Sequence, residues 1–389
     1  MRVLHVTPYF APAFRYGGPP RSILGLCRSL GDAGVDVEVF TTTANGSEPL
    51  AQAPDGTEYE GVRVRYFPLA WPKRYWRASG LGAALGRALA GADLVHVHGL
   101  WNMTGSTAVR HARASARPYV VSPRGMLQPA AMRRHHAMKM AAYWAFERQH
   151  LRAAAFLHAT SVIEEQQLAR YGAPVVSIAN GVTPLVSSAL ALDRVRERAK
   201  IDADDEVVMF LGRLHPIKRL DLLAEAFAIV HRARPRARLV IAGPDEGGYR
   251  QRVEPLFAPV AHATRWLGAV DAETTGALFA ASRTLVQCSD SESFGMSVAE
   301  ALTAGLPVVV TDRSPWSQVG MLGCGYVVAH EASAVAQAVL QILEHPAEAC
   351  AMGMCGKTWA HDTFGWGAIG RSMRDAYQHV LDRSGRRAT

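Results

Sequence analysis

The stretch that constrains this chain most is residues 288–312, CSDSESFGMSVAEALTAGLPVVVTD. A β-type run at 284–288 ends in a polar loop that carries Glu292 and turns at Gly295. A helix bearing Glu300 follows, and 306–310 is a second buried-strand run. Strand, loop, helix and strand in that order make a parallel βαβ crossover. Such a unit sets a helix N-terminus beside the loop at a strand's C-terminal end, an arrangement that favours an anion. The two carboxylates differ in reach. Glu292, in the loop, approaches the reacting end of a ligand, and Glu300, in the second helical turn, a hydroxyl-bearing group beyond its phosphates. A nucleotide-like ligand is the expectation.

The rest of the chain repeats this alternation. Strand-like runs at 3–7, 35–41, 62–67, 94–98, 119–122, 156–159 and 175–178 are separated by helical runs at 20–33, 81–90, 105–115 and one long run at 129–151. Loop-like sequence at 180–189 ends the series, and the charged stretch after it reads as helix and loop. The pattern then restarts, with strands at 207–211, 239–242 and 265–267, helices at 221–232, 250–260 and 271–281, and late helical runs at 332–343 and 369–381. This predicts an α/β chain of two doubly wound Rossmann-like domains, 1–183 and 184–366, facing across a cleft at the C-terminal edges of both sheets.

Composition narrows the class. Hydrophobic residues make up 49% of the 389 and charged residues 20%, which supports ordinary large cores. Five cysteines, an odd number with no C-x-x-C pair, favour neither a disulfide framework nor a zinc site, and reduced thiols in a cytoplasmic protein are expected. The opening MRVLHVTPYF reads as a short strand rather than a signal peptide, and no apolar run approaches the ~18–20 residues of a spanning helix. The net charge of +8 is unevenly placed. Residues 1–185 hold 20 Lys+Arg against 11 Asp+Glu, or +9; the remaining 22 against 23 give −1. An excess confined to the first half attracts phosphate-rich partners. No zinc-finger spacing, RNP-like motif or basic zipper accompanies it, so an anionic membrane surface or a phosphorylated acceptor is preferred to nucleic acid.

Several residues at strand ends are candidates for chemistry. Gly17 and Gly18 precede Pro19 and Pro20 at a helix start; their N–H groups face a phosphate, or they form a plain tight turn. In LVHVHG, His96 and His98 share one strand face. They read as a core or metal-binding pair, with metal disfavoured because no carboxylate or Cys stands at ligand spacing. His98, nearer the strand's end, is the candidate for hydrogen bonding or proton handling. Arg124, in SPRGML, occupies the equivalent place after a later strand, and with Asn180 is a candidate for acceptor binding. The cluster Arg133, Arg134, His135, His136 and Lys139 surrounds its helix on all sides, as a solvated face does, and also suits attraction to anionic headgroups. In FLGRLHPIK, Arg213 and Lys218 lie beyond a strand and converge on one dianionic group, Arg as a fork and Lys as a point charge. With the Gly295 helix start they make a diphosphate clamp that needs no metal.

Taken together, GGPPRS after the first strand, HVHG, the late NGV, GR…K and ESFGMSVAE resemble the retaining glycosyltransferases of family 4, the glycosyl transferases group 1. The likeness runs from residue 1 to about 382, and its most specific part is Glu292 and Glu300 around Ser293-Phe294-Gly295. It implies a GT-B fold with an acceptor-binding first domain and a donor-binding second domain, the last helix (367–389) packing back on the first. It implies that Arg213 and Lys218 hold the donor diphosphate and that Glu300 binds the ribose. Ser293, Phe294, Gly295 and Met296 would lie along the sugar and phosphates, with Glu292 on the transferred sugar. His98 would contact the reacting sugar or acceptor, and Gly18, beside Gly17, the diphosphate. The implied reaction retains anomeric configuration, requires no metal or other cofactor, and uses a UDP- or GDP-linked sugar.

SPRGML, Tyr143-Trp144 and Ser314-Pro315-Trp316 resemble the branch that builds bacterial exopolysaccharide, capsule or lipopolysaccharide, which implies a glycan or lipid-linked acceptor; peripheral contact with the inner face of the membrane is a separate expectation that rests on the +9 of the first half alone. Two positions depart from the family pattern. Ala179 replaces the usual Pro before Asn-Gly, and Ser314-Pro315-Trp316 stands where many members carry Pro-Glu, so sugar and base preference do not carry over. A GT-B sugar-nucleotide epimerase and a non-catalytic scaffold are the alternatives. An NAD-dependent oxidoreductase is disfavoured by the missing G-x-G-x-x-G. Residues 383–389 are expected to be a loose tail.

Overall fold

The computed structural model describes residues 1–46, 48–50, 57–133 and 135–388, and side chains as far as 384. Arg134, of the basic cluster, lies outside the described residues. The chain divides into two compact units, Met1–Gly181 with Trp366–Thr389, and Val182–Gly365.

The first unit contains strands β1 (Arg2–Val6), β2 (Asp36–Thr42), β3 (Thr57–Tyr59), β4 (Val62–Phe67), β5 (Leu69–Ala70), β6 (Arg77–Ala78), β7 (Leu94–His98), β8 (Tyr119–Ser122), β9 (Phe156–Ala159) and β10 (Val175–Ser177). Eight of them form one sheet in the order β10-β9-β8-β7-β1-β2-β4-β3, while β5 and β6 pair separately. Only β3 runs antiparallel in the large sheet. The inner strands are buried along their whole length, as expected where helices cover both faces of a parallel sheet. Alternate residues serve opposite cores: Leu4, Val6 and Val97 pack with Leu85 and Ala108 on one face, while Val3 and Val39 pack with Ile23 and Leu30 on the other.

That second face is closed by the end of the chain. In the helix Trp366–Ala388, residues Ile369, Met373, Tyr377 and Val380 recur at helical spacing and are all buried among the residues of the helix Gly18–Asp32. The Trp366 ring lies where a Cβ on Gly25 or Gly181 would be, 2.1 and 2.3 Å from its nearest atoms, so only glycine fits at either position.

The second unit is a six-stranded parallel sheet, β13-β12-β11-β14-β15-β16, of β11 (Glu206–Leu211), β12 (Ala237–Ala242), β13 (Thr264–Gly268), β14 (Thr284–Gln287), β15 (Val308–Thr311) and β16 (Gly325–Val328). In each sheet the strand order reverses direction at one place, between β1 and β7 and between β11 and β14. Ligands of open α/β sheets bind outside the strand ends at such switch points.

Three expectations are corrected. The run 129–151 is not one helix. It is Pro129–Arg133, His136–Ala142, a π-helical turn at Tyr143–Glu147 and Arg148–Arg152, with His135 in the left-handed region at φ 55°. The π turn rotates Glu147 inward, where its carboxylate accepts from the Trp101 N–H at 3.1 Å. The run 250–260 becomes Tyr249–Val253 followed by 3-10 turns at Glu254–Ala263, because Pro255 and Pro259 remove the donors an α helix needs. Residues 383–388 continue the last helix instead of forming a loose tail. Among the described residues no helix is long and apolar enough to cross a membrane.

Candidate functional site

At the β1/β7 switch point the first unit holds a cluster of four buried histidines and one arginine. His5 on β1 lies opposite His96 on β7 in the pairing register, and His98 opposite Ser122 on β8. Arg124 follows β8 in a turn whose φ values, 53° at Arg124 and 77° at Gly125, are both left-handed. The buried Glu164 carboxylate pins this turn by accepting from Gly125 N at 2.6 Å and Thr160 N at 2.8 Å. The guanidinium donates from Nε to His98 Nδ1 at 3.3 Å, and from Nη1 to Ser22 Oγ at 2.9 Å and Asn180 Oδ1 at 3.5 Å. Ser22 lies one turn inside the helix that starts at Gly18, just after Gly17 at φ 84°. Gly17, Gly18, His98, Arg124 and Asn180 therefore belong to one neighbourhood. Arg124 Nη2 is buried there with no hydrogen-bond partner.

Burial first, and the Arg124 charge with it, lowers His5 to about 3; burial holds His96 and His98 well below 6.5 and lowers His158 to about 4. All four rings are neutral, and that fixes which nitrogens carry hydrogen. His158 Nε2 meets the Ile178 carbonyl at 2.8 Å and must donate, so its Nδ1 accepts from Ser122 Oγ at 2.7 Å. Ser122 has then spent its proton and accepts from His96 Nε2 at 2.6 Å, leaving His96 Nδ1 to accept from the Tyr377 hydroxyl at 2.5 Å. A directed chain thus runs from the last helix through β7, β8 and β9 to the end of β10. In the same way Arg124 donates to His98, His98 Nε2 donates to His5 Nδ1 at 2.9 Å, and His5 Nε2 ends unpartnered.

His5, His96 and His98 bring ligand-capable nitrogens within 4.8 Å of one another, which is metal-ligand spacing. Five of their six ring nitrogens, all but His5 Nε2, are engaged in the two directed chains, and the Arg124 guanidinium stands against them. The trio suits neutral mutual hydrogen bonding better than a divalent cation. His98, with both nitrogens used and 1% exposure, orients Arg124.

In the second unit the β11/β14 switch point holds Lys218, in a 3-10 turn after β11, and Glu292, in the loop after β14. They form an ion pair with side chains 14% and 12% exposed. Glu292 also accepts from Gln287 Nε2 and Ser289 Oγ, both at 2.8 Å. Burial alone would raise its pKa, but the Lys218 charge and these donors bring it below the ordinary value. The structure does not set Arg213 beside Lys218 on one partner: Arg213 is exposed and pairs with Glu246. A second carboxylate, Asp290, takes Arg219 at 3.2 Å, Arg313 at 2.6 Å and His330 at 3.4 Å.

Gly295 starts the helix Met296–Thr303 from φ 87°, and a Cβ there would meet Trp316 Nε1 at 2.8 Å. Trp316 donates to the Phe294 carbonyl at 2.5 Å and packs with Phe294, Trp359 and Phe364. An aromatic brace thus holds Ser293, Phe294 and the first turn at Met296, with Glu300 half-buried one turn on. An α helix leaves its first N–H groups without internal acceptors. A loop and helix start of this kind suit an anion, and Lys218 stands at the same switch point.

Sequence reasoning passed over His5, Ser22, Asp290 and Tyr377. Their partners come from strand register and helix docking, which no local pattern carries.

The comparisons with known proteins cover nearly the whole chain. The family model Glycosyl transferases group 1 matches residues 193–359, and Glycosyl transferase 4-like domain matches 17–181. A D-inositol 3-phosphate glycosyltransferase of Kineococcus radiotolerans is 30% identical, over 99% of this chain and 96% of its own. Sucrose-phosphate synthase from Thermosynechococcus elongatus superposes with a TM-score of 0.77 at 21% identity, over 98% of this chain and 100% of that one. Anabaena HepE in complex with UDP-glucose gives 0.76 at 18%, over 97% and 100%.

Proposed function

Since the chain belongs to the glycosyl transferases group 1 family, has the GT-B fold and is a glycosyltransferase, we propose that it transfers a hexose from a UDP- or GDP-sugar, with retention of configuration and without a metal, to a phosphate-bearing, lipid-linked acceptor in surface-glycan synthesis. The observation that carries the donor half is the Lys218–Glu292 pair beside the braced Gly295 helix start. Lys218 meets the donor diphosphate and stabilises the charge it gains on leaving, joined by Arg213 once that side chain leaves Glu246. Glu292, kept ionised, accepts hydrogen bonds from the transferred sugar, and Glu300 takes the ribose hydroxyls. The two carboxylates have separate tasks, unlike the acid and base of a glycosidase. The leaving diphosphate accepts the acceptor's proton on the face from which it departs.

The acceptor half rests on the cationic first unit, where Arg124, oriented by His98 and Asn180, offers a buried donor. A cytoplasmic enzyme in peripheral contact with the inner membrane face fits that charge. A second reading, a small phosphorylated polyol acceptor, is favoured by the relative whose name specifies inositol 3-phosphate.

A thermal-shift panel of nucleoside diphosphates and their sugars tests the donor side; a ligand at 100 times its Kd adds about 2.7 kcal/mol. Transfer is then measured with polyprenyl-diphosphate glycans and with inositol 3-phosphate. Full transfer by Glu300→Ala with an unchanged donor requirement, or donor interconversion without acceptor, would overturn the proposal.

A further inference from the structure

The first unit contains a second concavity that the reading above leaves unused. It has a volume of about 420 Å³, within the ~300–1,000 Å³ of small-molecule sites. Its walls are apolar, made by Met103, Met138, Ala142, Phe146 and the Tyr75 ring. Met138 and Phe146 are 46% and 37% exposed, an unusual state for large apolar side chains grouped together.

Trp101, Ser106 and His150 also belong to the lining, with Trp101 Nε1, Ser106 Oγ and His150 Nδ1 closed off behind the apolar wall and without a hydrogen-bond partner. His150 is 5% exposed, and its Nδ1 stands 3.6 Å from Glu147 Oε2, beyond hydrogen-bond range. Buried polar atoms without partners are costly and rare, and three behind one wall set this concavity apart from an ordinary surface cleft. The backbone around them is also distorted in the manner of functional sites. Trp101 sits at φ 59°, and the π turn Tyr143–Glu147 swings Glu147 in to hold the Trp101 N–H.

Charge selects the ligand's sign. Arg110, one helical turn beyond Ser106, and Lys139, which donates to Ala131 O, line the same pocket. Over residues 61–146, which supply most of this lining, the sequence holds 13 Lys+Arg against one acid, Asp93. An apolar trough with a cationic edge matches an amphiphilic anion.

We propose that this pocket binds an individual lipid phosphate, its hydrocarbon chain along Met103, Met138 and Phe146 and its phosphate oxygens on the cationic edge made by Arg110 and Lys139. The inference deepens the lipid-linked acceptor reading by giving the lipid a place, and it is tested without any sugar donor so that the two fail separately.

Farnesyl monophosphate is titrated calorimetrically into the full-length protein, alongside farnesol, inorganic phosphate and phosphatidylglycerol vesicles. Farnesyl monophosphate saturates at one per chain, farnesol binds about tenfold more weakly, and inorganic phosphate shows no saturation. Arg110→Ala and the pocket-filling Ala142→Trp each weaken binding about tenfold, with thermal unfolding confirming that they fold. Arg213→Ala leaves binding unchanged, which separates this pocket from the donor site. Should Ala142→Trp fail to fold, Lys139→Ala carries the test of the cationic edge as the wall variant. The inference is overturned if farnesyl monophosphate does not saturate, or if its binding survives both Arg110→Ala and the wall variant. Loss of binding in Arg213→Ala overturns it as well, as do vesicles that bind as tightly as the single lipid and insensitively to these changes. Sugar transfer to a water-soluble acceptor, measured in parallel, judges the glycosyltransferase reading alone.

Discussion

Mild acid should unfold the first unit through its buried histidines. His5, His96, His98 and His158 are neutral in the folded chain because burial opposes their charge, His5 at about 3 and His158 at about 4. In the unfolded chain each returns to ~6.5. Below that value the unfolded state binds protons that the folded state refuses, so stability falls as pH falls. The loss begins near the unfolded value and continues until the folded values are reached. Between pH ~7.5 and ~5.5 each ring contributes about 1.4 kcal/mol, and four contribute about 5 kcal/mol, comparable to the whole stability of a marginal domain. Urea unfolding of the full chain at several pH values in this window, followed by tryptophan fluorescence, measures the slope. His158→Gln keeps a donor for the Ile178 carbonyl and an acceptor for Ser122, and should reduce the slope by about one ring's share. A flat profile across this window, or an unchanged slope in the variant, would refute the assignment of neutral buried rings.

Other outcomes follow from the same geometry. Lys218→Ala leaves Glu292 buried without its cation and should cost about 3–5 kcal/mol along with donor binding; adding Glu292→Gln should recover most of the stability but none of the transfer. Gly295→Ala forces a side chain into the left-handed region against Trp316, so thermal unfolding should show a loss of about 1–3 kcal/mol and nucleotide affinity should fall. Tyr377→Phe removes the donor to His96 Nδ1 and should cost about 1–3 kcal/mol in urea unfolding, read against the Tyr377→Gln variant.

Much of the architecture was legible because parallel strands write themselves as continuous apolar runs. VLHV, LVHVH and TLVQ are β1, β7 and β14 to within a residue. The edge strand TEY and the two-residue strands β5 and β6 carry no such signal. The break in 129–151 was illegible for another reason. Its composition suits a helix throughout, and the π turn at Tyr143–Glu147 goes with the Glu147 carboxylate's bond to the Trp101 N–H, a contact set by tertiary structure. At the site, Glu292, Glu300 and Lys218 stand out because loop, helix and strand end are readable locally. His5 does not: it looks like any strand residue until β1 and β7 are put in register. Trp316 stood out as part of the branch resemblance and as a departure from the family pattern, and its work as the brace under Phe294 shows in three dimensions alone.

The last helix has a consequence for how the protein is made. The chain leaves the first unit at Gly181 and re-enters at Trp366, and the two crossings lie side by side, with Val182 bridged to Gly365. During synthesis the first unit's sheet and the helix Gly18–Asp32 therefore emerge early, with the face that the last helix covers still open. The second unit, contiguous in sequence, completes its core while that face is still waiting for Ile369, Met373 and Tyr377. Folding thus proceeds from the inside of the sequence outward, and the first unit to begin is the last to finish. A chain cut just before Trp366 would deliver a finished second unit attached to a first unit with an uncovered apolar face, a species prone to aggregate or to be degraded.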